Sequence, residues 1–79
     1  DASTYPNPYE NYFHIKLNTT SDEPVGVKVY DMLGKVVEEY VLQLTELEAL
    51  TIGKDLSNGE YSIVINQGDD ISRKRIVKQ

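Results

Sequence analysis

Apolar and polar residues alternate along most of this chain with a period of two. Phe13, Ile15 and Leu17 interleave with Tyr12, His14 and Lys16, and Val25, Val27 and Val29 with Gly26, Lys28 and Tyr30. Tyr61, Ile63 and Ile65 interleave with Ser62, Val64 and Asn66 in the same way. A strand sends successive side chains to opposite faces, so each run predicts a strand with one face in a core and the other in water, as in antiparallel sheets.

Punctuation separates these runs. Residues 1–5 predict a short edge strand, ended at Pro6-Asn7-Pro8, where two fixed φ angles and two missing donors forbid a continued ladder. Residues 18–24 are polar and rich in breakers, hence a loop. Asp31-Met32-Leu33-Gly34 predicts a turn with Gly34 at positive φ, leading into a strand over 35–42. Residues 42–50 carry good helix formers, with Leu44 and Leu47 at i, i+3. A helix there is too short to stand alone, and Leu50 and Ile52 keep period two, so a strand over 47–52 and no helix are expected. Leu56 is expected as an apolar plug under the 54–59 connection. Residues 58–79 predict a β-hairpin that turns through Asn66-Gln67-Gly68-Asp69-Asp70. The sum is an all-β chain, an antiparallel Ig-like β-sandwich of about seven short strands. Tyr61 stands where Ig-like domains place a tyrosine corner.

Composition narrows what such a sandwich can do. Seventy-nine residues make one small domain, which buries only about 60% of the surface its unfolded form exposes and leaves no room for a large enzyme cleft. Without cysteine, neither disulfides nor thiolate metal sites staple it. No run approaches the ~20 apolar residues of a membrane helix, and no signal-peptide pattern opens the chain; a start at Asp1 rather than Met is expected of a piece of a longer protein. A net charge of −5 and a pI near 4.6 disfavour nucleic acid as a partner, since phosphate binding needs a basic face. The charge is unevenly spread. All 13 acidic residues lie in 1–72, whereas Arg73, Lys74, Arg75 and Lys78, four of the eight basic ones, cluster at the end. On charge alone this cluster reads first as an edge strand that deters aggregation.

Candidate chemistry is sparse. His14 is the only histidine and is expected as a solvated strand residue, so no His-His or Cys-His pair exists. Ser57 and Ser62 have no accompanying base, and Asp69-Asp70 lack calcium-loop spacing and suit a turn. No catalytic residue, metal or cofactor is expected. Tyr9, Tyr12, Tyr30 and Tyr40 would suit a sugar platform if coplanar and exposed, although strand packing is the commoner use of tyrosine.

Taken together, several segments resemble the C-terminal sorting domain of proteins exported by the bacterial type IX secretion system. Tyr5-Pro6-Asn7-Pro8 is similar to that family's opening Pro-Asn-Pro motif, and Val27 to Val37, with Tyr30-Asp31 and Gly34-Lys35, is similar to its middle motif. Leu56-Ser57-Asn58-Gly59-Glu60-Tyr61 resembles its Leu…Gly-x-Tyr motif, and Gly68 with Lys74-Arg75-Ile76-Val77-Lys78 its terminal hairpin. The resemblance implies a signal, not an enzyme: a domain that takes a periplasmic cargo through the outer-membrane machinery to the cell surface, where a sortase-like protease removes it. The implied partners are translocon and shuttle proteins and that protease, with no membrane span. Gly59 and Gly68 would shape the hairpin, Tyr61 anchor it, and Lys74, Arg75 and Lys78 offer charge to a receptor. A free terminal strand also makes an edge-strand dimer possible. The alternative is an Ig-like accessory or carbohydrate-binding module of a surface protein.

Overall fold

The alternating runs close into two antiparallel sheets in the computed structural model, which describes residues 1–79. β1 (Ala2–Tyr5) and β2 (His14–Leu17) form the small sheet. β3 (Val25–Tyr30), β4 (Val36–Leu42), β5 (Gly59–Gln67) and β6 (Asp70–Lys78) form the large one, in the order β4-β3-β5-β6. Counting Ile52, which bridges Phe13 through reciprocal 3.0 Å backbone bonds, seven short strands make the sandwich. Ile15 from the small sheet and Phe13 just before β2 meet Val25, Val27, Val29, Ile63, Ile65 and Ile76 from the large one in a single core. The alternation therefore places these residues as expected, and Leu56 packs against the core as the expected plug.

The turns follow their chemistry. Asp31 Oδ1 accepts from the Leu33 and Lys35 amides at 2.9 Å each, and Gly34 has φ +86°, a conformation that costs other residues strain. Gly68 has φ +58° at the first central position of the two-residue β5–β6 loop, the place a type II′ hairpin turn reserves for glycine. Buried Gln67 ties the 18–24 loop to the sheet. Its Nε2 donates to the Ser21 and Glu23 carbonyls at 3.2 and 2.9 Å, and its Oε1 accepts from Thr19 Oγ1 at 2.7 Å.

Two expectations are corrected here. In place of a strand over 47–52 the chain forms a one-turn helix, α1 (Leu44–Leu47), followed by the single bridging residue Ile52. The turn is too short to be stable alone, but Leu47 is fully buried and the Gln43 amide donates to Glu46 Oε1 at 2.8 Å, so tertiary burial and a capping contact hold it. His14 is not simply solvated. It is half-buried, its Nδ1 lies 3.0 Å from the Leu50 carbonyl, and its ring packs against Tyr5 and Tyr12.

Candidate functional site: the seam along the terminal strand

β6 is an edge strand whose odd-numbered residues turn their backbone groups away from β5. At its C-terminal half those groups are taken. Asn7 Nδ2 donates to the Arg75 carbonyl at 3.0 Å and Asn7 Oδ1 accepts from the Val77 amide at 3.2 Å, so one side-chain amide imitates a strand's donor and acceptor. Main chain completes the seam: the Tyr9 amide donates to Val77 O, and the Gln79 amide to Tyr9 O, both at 2.9 Å. The chain thus leaves the small sheet after β1, passes through Pro6-Asn7-Pro8, and runs parallel to the end of β6. This corrects the expectation of a free terminal strand: from the Arg75 carbonyl onward its outer edge is occupied.

Below the seam lies a half-buried polar layer. Tyr9 is buried against Phe13, and its hydroxyl donates to the Gly53 carbonyl at 3.0 Å. Burial, then the nearby Tyr61 and Glu38, push its phenol up to about 12. Tyr40 donates to Glu38 Oε1 at 2.6 Å; burial, followed by that hydrogen bond and the Glu38 and Asp55 charges, also raises its phenol to about 12. Lys78 Nζ donates to the Leu56 and Lys54 carbonyls at 2.7 and 3.2 Å and sits 5.9 Å from the Tyr9 ring centroid. Its charge therefore caps the 54–56 connection. Tyr61 Oη donates to Ser57 O at 2.7 Å, four residues upstream, which is the contact of a tyrosine corner.

The strand register brings most of the motif residues to one end of the large sheet. Tyr30 pairs with Ser62 and Ser62 with Arg75, while Gly59 pairs with Lys78 and Tyr61 with Ile76. The Asp31–Lys35 turn, Gly59, Tyr61, the Ile76-Val77-Lys78 end and Pro6-Asn7-Pro8 accordingly share that end. Lys74 sits mid-strand opposite Ile63, and Gly68 alone marks the far end. Ile76 is a core residue, Val77 faces outward, and Arg75 Nη1 pairs with Glu60 at 2.8 Å. Sequence reasoning missed Tyr9 and Glu60 as partners of the terminal strand, and nothing local in the sequence marks either. The four tyrosines considered for sugar stacking do not form a platform, because Tyr9 is buried and Tyr40 is half-buried and committed to Glu38.

The β-sandwich thus gathers most of its motifs at one end of the large sheet. The chain belongs to the family of secretion-system C-terminal sorting domains, whose model matches residues 3–79. It is thus a type IX sorting domain, a typically non-catalytic class of signal that implies secretion-machinery partners and delivery to the cell surface or exterior. No curated protein matches the chain. No helix in it is long and apolar enough to cross a membrane.

Proposed function

We propose that this domain sits at the end of a cargo protein, travels with it through the periplasm, and is handed to the type IX outer-membrane machinery, after which a sortase-like surface protease removes it. Family membership over residues 3–79 is the observation that carries this reading. The fold supports it physically. A closed core hides apolar surface in transit, and the gathered motif end offers a receptor one rigid face built from four separate segments. The cut falls upstream of β1, since Ala2 is buried and the Asp1 carbonyl accepts from the Asn18 amide at 2.9 Å, which ties the backbone down from that point.

Fusing residues 1–79 behind an exported fluorescent protein, in hosts with and without the type IX machinery, tests the proposal. Surface delivery only in the former is expected, and equal delivery in both would refute it. Truncating Arg73–Gln79 should also block export. Because that deletion removes buried Ile76, it must be accompanied by point variants that keep the fold.

A further inference from the structure

The seam stops short of the first half of β6. In an antiparallel pair, residues alternate between positions that bond the neighbour and positions that point away. Arg75 and Val77 bond outward to Asn7 and Tyr9, so by alternation Ile71 and Arg73, opposite Asn66 and Val64, also turn their N–H and C=O groups outward. No backbone bond reaches them from outside the β5–β6 ladder. The side chains of this window are just as uncommitted: Ile71 is 59% exposed, and Arg73 and Lys74 form no ion pair, unlike neighbouring Arg75.

We propose that the Ile71–Arg73 edge, with the outward amide of Arg75, is a strand-addition site for an extended acidic segment of a partner protein. Three observations favour this occupant. The same edge already accepts an extended segment from outside its hairpin, residues 7–9, so an incoming strand would occupy the slot beside them and continue the seam. Arg73 and Lys74 sit on opposite faces of the sheet, so acidic side chains on either face of the incoming strand find a cation. A second copy of β6 paired antiparallel about Arg73 is a poor occupant, because that register sets Arg73 against Arg73 with Lys74 next to it, and like charges directly opposite are destabilising. Main-chain bonds would supply the affinity and the Arg73-Lys74 pair the selectivity. The proposal deepens the sorting-domain reading by naming the chemistry of a machinery partner and rests on that reading for the partner's identity alone.

The test uses the 79-residue chain with a short end-blocked peptide of alternating Glu and Val, and a control peptide with Lys in place of Glu. Binding of the acidic peptide only, with amide exchange at Ile71 and Arg73 slowed about tenfold or more, is expected. Arg73→Glu should abolish binding at unchanged melting temperature. N-methylation of the Arg73 amide, introduced by ligation, removes one outward donor without altering charge or the inner ladder, and should also abolish it. Undiminished binding by the N-methylated chain, or binding without protection at Ile71 and Arg73, makes the contact one of charge alone and overturns the proposal. Absence of binding also overturns it, as does protection that rises with protein concentration in the absence of peptide, which assigns the edge to a second copy. If the peptide fails while the fused reporter is still exported, only strand addition falls; if it binds while export is independent of the machinery, only the sorting reading falls.

Discussion

Replacing Asn7 by alanine removes the side chain that joins the start of the chain to its terminal strand. Two hydrogen bonds are lost, to the Arg75 carbonyl and from the Val77 amide, at 3.0 and 3.2 Å. Each is worth about 0.5–1.5 kcal/mol net, and because both are solvent-exposed the freed groups rebond to water, which favours the lower half of that range. The expected loss is therefore ~1–2 kcal/mol. Unfolding entropy near 2.1 cal/mol/K per residue gives roughly 0.17 kcal/mol/K for this chain, so the melting temperature should fall by about 6–12 °C. Thermal unfolding followed by circular dichroism measures this, and hydrogen exchange locates it: the Val77 amide should exchange at least ~5-fold faster. Asn7→Asp keeps the acceptor for Val77 but loses the donor to Arg75, and should fall between the two. An Asn7→Ala melting temperature within ~1 °C of wild type, with Val77 exchange unchanged, would refute the seam as a stabilising contact.

Three further outcomes are expected. Gly34→Val places a β-branched residue at φ +86°, which should cost about 1–2 kcal/mol and lower the melting temperature by roughly 6–12 °C; an unchanged value would refute the turn. Lys78→Met keeps the apolar stem but deletes both bonds to the 54–56 carbonyls, and should lower the urea midpoint by ~1–2 kcal/mol equivalent with an unchanged slope, whereas Arg73→Met, exposed and without an ion pair, should stay within ~0.5 kcal/mol. Tyr9 and Tyr40 have folded pKa values near 12 against 10 unfolded, so the folded state favours their neutral form. That stability is fully present below pH 10 and is lost as pH rises through 10 towards 12; a melting temperature independent of pH across that window would contradict it.

Much of the fold could be read from the order of residues because its causes are local. Val25, Val27 and Val29 announce a buried strand face by spacing alone, and Asp31 to Gly34 announce a turn by chemistry that acts within four residues. Residues 44–52 were misread because their outcome is decided elsewhere. Leu47 fills a gap in a core made by distant strands, and that burial stabilises a helical turn that propensity would not. The seam was hidden for the same reason. The resemblance picked out Pro6-Asn7-Pro8 and Lys74 to Lys78 as separate motifs, but the hydrogen bonds joining Asn7 to Arg75 and Val77 cross almost the whole chain, and no spacing rule reaches that far. Lys78 shows the corresponding limit for charge: composition counts only a cation at the end of the chain, whereas its Nζ also fastens the terminal strand to the Lys54 and Leu56 carbonyls.

The parallel course of residues 7–9 and 77–79 has a mechanical consequence. Tension transmitted through β1 from Asp1 and directly from Gln79 draws these two segments in opposite directions along a common axis. Their four hydrogen bonds are then loaded in shear and must yield together, whereas a hairpin pulled from its open end surrenders its bonds one at a time. Until the seam slips, the β5–β6 ladder behind it carries little of the load. Forced unfolding is governed by the unfolding rate rather than by equilibrium stability, so a domain drawn through a machine by its ends would take its resistance from this short patch, with Asn7 as its first fastening.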